Sequence, residues 1–141
     1  MIVYVHASAL VKLYVAEAGS KEVEALIGSA QVVGTGILSR AEVTAALSKS
    51  IRLELITHEG AAKANQAFSS DWDSLIRLPV TETLVARAGA LAFDQTLRGY
   101  DAVHLATALA WRETLGEEIT LATYDRDLWR GAQATGLTPG R

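Results

Sequence analysis

The chain has no cysteine among its 141 residues. That excludes a disulfide framework and any thiolate metal centre, and it suits a reducing cytosol. No apolar run approaches the ~20 residues that a membrane-spanning helix requires. There is no basic excess either: 13 Lys and Arg face 16 Asp and Glu, a formal charge of −3. A protein that coats nucleic acid generally would carry the opposite sign. Local contact with nucleic acid by an enzyme stays open, as does capture of a basic protein partner at an acidic cleft. No internal repeat, linker or low-complexity tract interrupts the chain.

What is present is an ordinary globular composition, 50% hydrophobic and 21% charged, in a length that buries one proper core. A single domain over residues 1–141 is expected. Strand-like residues start at Ile2, so no cleavable signal is expected, and the cytoplasm is the expected location.

The pattern alternates strands with helices. Ile2 to Val5 reads as a first strand and Ala7 to Ala16 as a helix ended by Gly19, with Ser20 capping a second helix, Lys21 to Ser29. Gln31 to Gly34 reads as a strand, with Thr35-Gly36 as the turn out of it. A helix from Ser39 to about Ile51 follows, then a long one from Thr57 towards Asp73. Ile76 to Val80 is a third strand, and Thr81 caps a helix of Glu82 to Thr96. Residues 97–100 read as a loop, Asp101 to Leu115 as a helix, Ile119 to Ala122 as the last clear strand, and Arg126 to Thr135 as the last helix. The tail through Pro139 has the character of a short edge strand. Mostly apolar strands alternating with helices imply an α/β fold: a three-layer α/β/α domain around a parallel sheet of four or five strands. In such a sheet the carboxyl ends of the strands share one edge, where α/β sites form.

Four segments deliver polar residues to that edge. His6 and Ser8 follow the first strand, Asp125 follows the last clear one, and Glu42 and Asp101 lie in first turns of helices expected to begin there. Carboxylates gathered from distant segments repel unless they hold a cation or a proton. Hard oxygen donors suit Mg²⁺ or Mn²⁺, which can activate water and stabilise the oxyanions of phosphodiester cleavage. Each residue also has a purely structural reading. Ser39 and Glu42 have the spacing of a capping box. Asp101 suits a helix dipole, Asp125 an N-cap, and Asp127 a solvated first turn.

The residues resemble a known family over essentially the whole length. Ile2-Val-Tyr-Val with Ala7-Ser-Ala-Leu-Val-Lys-Leu-Tyr14, Ser39-Arg-Ala-Glu42-Val, Arg98-Gly-Tyr-Asp101-Ala-Val-His-Leu-Ala106 and Thr123-Tyr-Asp125-Arg-Asp-Leu128 resemble, in order, PIN-domain ribonucleases, and among them the VapC-type toxins of toxin–antitoxin pairs. The resemblance implies a Mg²⁺- or Mn²⁺-dependent endoribonuclease acting on RNA, a homodimer, and inhibition by a cognate VapB-type antitoxin laid across the site. It maps the acidic ligands onto position 6, Glu42, Asp101 and Asp125, with Ser8 and, more weakly, Thr123 in the surrounding shell.

Position 6 departs from the pattern. The family carries an aspartate there; this chain carries His6. One neutral nitrogen replaces two charged oxygens, which disfavours Mg²⁺ and is better tolerated by Mn²⁺ or a later transition metal. The change implies an impaired toxin with three acids still in place. Its competitors are a relative that binds without cleaving, and a nitrogen-rich site of His6, Asp101 and His104, one helical turn apart on the last two. A histidine inside Ala-Val-His-Leu-Ala is otherwise a packed residue donating to a carbonyl or carboxylate.

Two other function classes share parts of this pattern. Receiver domains also hold acids at strand ends, but Ile76 to Val80 ends in Val-Thr-Glu without an accepting aspartate. A catalytically inactive module that binds antitoxin or RNA is the remaining alternative. Lys12, Arg40, Lys49 and Arg52 are candidate phosphate contacts that also fit a solvated surface. Trp72, Trp111 and Trp129 fit core packing better than interface anchoring.

Overall fold

In a computed structural model that describes residues 1–141, a five-stranded parallel sheet has the order β3-β2-β1-β4-β5. The elements are β1 (Ile2–Val5), α1 (Ala7–Leu10) continued by a 3-10 turn (Val11–Leu13), α2 (Ser20–Ser29), β2 (Val32–Gly36), α3 (Ser39–Arg52), α4 (His58–Trp72), β3 (Ile76–Leu78), α5 (Glu82–Gln95), α6 (Gly99–Leu115), β4 (Ile119–Ala122), α7 (Arg126–Ala134) and β5 (Thr138–Gly140).

The strand period of two sorts β1 between two cores. Ile2 and Tyr4 face α5, α6 and α7 with Leu105, Leu109 and Leu128, while Val3 and Val5 face α1 to α4 with Val23, Val43, Phe68 and Trp72. This makes three layers, as expected. It also explains why β1 has no polar alternation: all four residues are buried. α6 is buried from Asp101 through Leu109, so its helical stripe is lost and small residues such as Ala102, Ala106 and Ala108 let it lie close to the sheet and α5.

The chain runs outward from β1 through β2 to β3, then crosses to β4 and β5. The reversal falls between β1 and β4, whose carboxyl ends are adjacent: Val5 pairs with Ala122, and the His6 amide donates to the Ala122 carbonyl at 2.9 Å. A crevice at such a switch point is the usual place for a site in an open α/β sheet.

Several boundaries differ from the sequence reading. The first helix ends at Leu13 rather than Ala16, and Gly19, at φ +93°, is the N-cap of α2 while Ser20 lies inside it. The Ser20 hydroxyl instead donates to Val15 and accepts from the Glu17 amide, tying the connecting loop. Thr35 and Gly36 belong to β2 and are not a turn. The Thr35 hydroxyl donates to the Val5 carbonyl at 2.6 Å, which stitches β2 to the end of β1. β3 stops at Leu78, and α6 begins at Gly99, two residues early, with Arg98 as its N-cap. The cap at Thr81 and the edge strand β5 stand as read, while Thr57 caps α4 and Gly116, at φ +68°, ends α6. No helix is long and apolar enough to cross a membrane.

Candidate active site

His6 ends β1 and N-caps α1, accepting at Nδ1 from the Ser8 amide at 3.3 Å. The Ser8 and Thr123 hydroxyls lie 2.8 and 3.1 Å from the same nitrogen. Those hydroxyls in turn accept from the Tyr124 and Asp125 amides at 2.8 and 3.0 Å, so the β1–α1 turn and the β4–α7 loop form one polar knot. An imidazole that accepts at Nδ1 carries its proton at Nε2. That atom is buried without a hydrogen-bond partner, and Asp101 Oδ1 lies 3.4 Å from it.

Asp101 sits in the first turn of α6 with its side chain only 9% exposed. Burial alone would raise its pKa, yet His6 and Arg98 beside it hold the carboxyl below the usual range. Arg98 donates from Nε to Asp101 at 3.2 Å and from NH2 to Asp125 at 2.7 Å, joining two acids that belong to different elements. Asp125 does serve as an N-cap, its other oxygen accepting from the Leu128 amide at 2.9 Å. The structural reading of this residue therefore holds, and the same side chain lines the cleft.

Glu42 corrects the capping-box reading. Ser39 is buried inside the first turn of α3, with its hydroxyl 2.7 Å from that of Thr35, and Leu38 is the N-cap with no side-chain bond. Glu42 instead accepts from His104 Nε2 at 2.5 Å. His104 lies 2.6 Å from the Tyr4 hydroxyl through Nδ1, and that hydroxyl accepts from the Gly36 amide at 3.1 Å. Burial pushes the Tyr4 phenol far up, so it is the donor to Nδ1. Burial likewise holds the His104 imidazole below its ordinary range against the opposing pull of Glu42. The His104–Glu42 contact is thus a charge-assisted hydrogen bond from a neutral ring rather than an ion pair. The packed histidine read from the sequence is the correct one, and its acceptor is Glu42.

These residues open on a cleft of about 680 Å³, with His6, Glu42, Asp101 and Asp125 on one side and Val85, Ala88 and Ala92 of α5 on another. Ligand atoms of His6, Glu42 and His104 lie within 4.8 Å of one another. This alters the nitrogen-rich cluster considered from sequence, since Glu42 takes the place of Asp101 in it. Both His104 nitrogens are already engaged, so the groups left to meet a ligand in the cleft are the His6 Nε2–H and carboxylate oxygens. His6 Nε2 carries the proton in this arrangement, so it can ligate a divalent cation only once that proton moves to Nδ1, where the Ser8 and Thr123 hydroxyls can accept it. The carboxylate oxygens need no such change.

Two contributors were not foreseen. Tyr4 carried a signal: a phenol within an otherwise aliphatic buried strand must find a hydrogen-bond partner. Arg98 also carried one, lying three residues before Asp101 on a helix start. The basic candidates fall away from the cleft. Lys12 is tied to Glu17 and the Ala18 carbonyl and Arg40 lies over Trp72. Lys49 and Arg52 sit in the last turn of α3, far along it from Glu42. Trp72 and Trp111 are buried, and Trp129 is half-buried under Arg141.

The family model for the PIN domain matches residues 3–133. Two curated relatives from Mycobacterium tuberculosis, Ribonuclease VapC45 and Ribonuclease VapC49, are each 38% identical over 136 residues, which is 96% of this chain and 92% of theirs. Among solved structures, the sarcin-ricin loop cleaving toxin VapC20 of the same species aligns with a TM-score of 0.67 at 19% identity over 96% of each chain. A toxin–antitoxin complex from Klebsiella pneumoniae aligns at 0.65 and 18% identity, covering 89% of this chain and 88% of that one. With its sheet order, its switch-point cleft and these likenesses, the chain belongs to the PIN-domain family and is of the VapC type.

Proposed function

We propose that this chain is the toxin of a VapBC-type pair, a single-domain cytoplasmic endoribonuclease that hydrolyses RNA phosphodiesters and is impaired by His6. The observation that carries the reading is the convergence of Glu42, Asp101, Asp125 and the unpartnered His6 Nε2 on one cleft at the β1–β4 switch point. The names of the relatives support ribonuclease activity, and the toxin–antitoxin complex among the neighbours supports a VapB-type antitoxin partner. Exposed Val85 and Phe93 on α5 support a homodimer or a partner covering that helix.

His6, Glu42, Asp101 and Asp125 are the groups that would hold Mn²⁺ or Mg²⁺. When bound, such a cation supplies an acidified water and charge stabilisation for the phosphate oxygens. The chain's own residues do the arranging. Tyr4 and His104 fix one Glu42 oxygen, so the carboxylate meets the substrate pre-aimed. Ser8 and Thr123 orient the His6 ring from behind, and the α5 wall of Val85, Ala88 and Ala92 limits water on the opposite side of the cleft.

A second reading is an inactive PIN-like protein that acts by binding antitoxin or RNA. His6 at the ligand position and Arg98 across two of the acids favour it. Cleavage of structured RNA by this chain and by His6→Asp, each with Mn²⁺ and with Mg²⁺, separates the two. Strong cleavage by the aspartate variant and weak cleavage by this chain supports the impaired toxin. No cleavage by either protein in Mn²⁺ supports the binding module.

A further inference from the structure

The guanidinium of Arg98 occupies one oxygen of each of two acids. Its Nε and NH2 groups take Oδ2 of Asp101 and Oδ2 of Asp125, residues that lie three and 27 positions away in sequence. Of the opposite oxygens, Asp125 Oδ1 is committed to capping α7 at 2.9 Å, whereas Asp101 Oδ1 only faces the His6 ring at 3.4 Å, without a hydrogen bond. What Arg98 holds is therefore the one Asp125 oxygen that no backbone group takes, and with it one of the two Asp101 oxygens, and both of these could turn to a cation. The side chain is not locked in place by packing. It is 75% exposed, while Asp101 and Asp125 are 9% and 18% exposed, so it lies over the acids from the solvent side and can leave without disturbing the core.

The charge around the cleft sharpens the point. Three carboxylates, Glu42, Asp101 and Asp125, line it with one guanidinium. His6 places an imidazole where a fourth carboxylate would have strengthened the pull on a divalent ion. One fixed positive charge is then a large fraction of what an incoming cation must overcome.

We propose that Arg98 is a built-in counter-ion of this site: it pairs Asp101 with Asp125 in the metal-free protein and competes with a divalent cation for the oxygens it holds. Metal entry requires the guanidinium to swing into solvent, so the cleft is self-neutralised until a cation displaces it. The inference rests on the proposed function only in taking a divalent cation as the ligand, and RNA cleavage by His6→Asp tests that function separately.

The test is Mn²⁺ affinity of the whole chain without RNA, followed by calorimetry or by the paramagnetic signal of free Mn²⁺. Arg98→Gln removes the charge and is expected to bind Mn²⁺ about tenfold more tightly than the parent. Arg98→Lys keeps a charge but loses the planar fork that spans both acids, and is expected to fall between them. An Arg98 that merely tethers the start of α6 predicts the reverse order, because loss of the tether loosens both ligands. Equal or weaker Mn²⁺ binding by Arg98→Gln in a folded protein overturns the proposal, and so does absence of Mn²⁺ binding from all three proteins. Should the glutamine variant not fold, tighter binding by Arg98→Lys than by the parent sustains the proposal, and equal or weaker binding overturns it.

Discussion

The Tyr4 hydroxyl and His104 Nδ1 meet at 2.6 Å across one hundred residues of sequence, deep between β1 and α6. The contact fixes the ring so that Nε2 points at Glu42, and it leaves the phenol oxygen to receive the Gly36 amide. Tyr4→Phe removes the one group that satisfies both His104 Nδ1 and the Gly36 amide. Each buried group left without a partner costs about 1–3 kcal/mol. The variant is expected to unfold at lower urea concentration by that order, and in the His6→Asp background to lose cleavage rate while retaining RNA binding. Unchanged stability would show that water replaces the hydroxyl.

Gly36 is small for a steric reason rather than a conformational one. A Cβ built there comes within 2.7 Å of the Tyr4 oxygen and 3.6 Å of His104 Nδ1. Gly36→Ala is therefore expected to push the phenol off its partners and destabilise by about 1–3 kcal/mol. Gly28→Ala, where nothing lies within 4 Å, is the control and should be neutral or slightly stabilising, because the site is an open helical position. Thermal melts of the two variants check the contrast.

Stability should fall as the solution is made acid, in two stages. His104 is held below its ordinary range by burial, so the unfolded chain takes up this proton before the folded one does. Its contribution is whole above about pH 6.5, the ordinary imidazole value, and is lost as pH drops towards the lowered folded value. Asp101, held down by His6 and Arg98 against the effect of burial, contributes above about pH 3.9 and is lost below it. Denaturation followed between pH 8 and 3 should show both stages, and His104→Gln should flatten only the upper one.

Surface pairing should matter little. Arg87 and Glu113 form a two-pronged contact at 2.6 and 2.8 Å between α5 and α6, but their side chains are 38% and 54% exposed. Arg87→Ala is expected to cost no more than about 1 kcal/mol, and less in high salt. A loss of several kcal/mol would mean that this pair, rather than the apolar seam beneath it, holds α5 to α6.

Ser8→Ala tests the polar knot behind His6. The hydroxyl accepts from the Tyr124 amide and contacts Nδ1, so its loss frees the ring as well as a loop amide. A drop in metal affinity with a stability cost of about 1 kcal/mol is expected. Retained affinity would assign the orientation of His6 to Thr123 and to the backbone amide of residue 8.

The order of elements and the parallel sheet were determined by local pattern, and the family was legible in four motif blocks that resemble it in order. Short apolar strands, caps such as Thr57 and Thr81, and stops such as Gly116 act within a few residues, and sequence records them directly. The acids at element junctions were legible for the same reason. What each polar group bonds to was decided only by the tertiary structure. Ser39 and Glu42 have capping-box spacing, yet burial against Thr35 on one side and His104 on the other outweighs a local bond at a helix end. Thr35 and Gly36 have turn composition, yet pairing with β3 keeps them extended. Arg98 reaches an aspartate three residues on and another 27 residues on, and only the meeting of the start of α6 with the β4–α7 loop brings the two together. A buried donor must find its acceptor wherever the fold places one, and that distance is set by topology rather than by spacing along the chain.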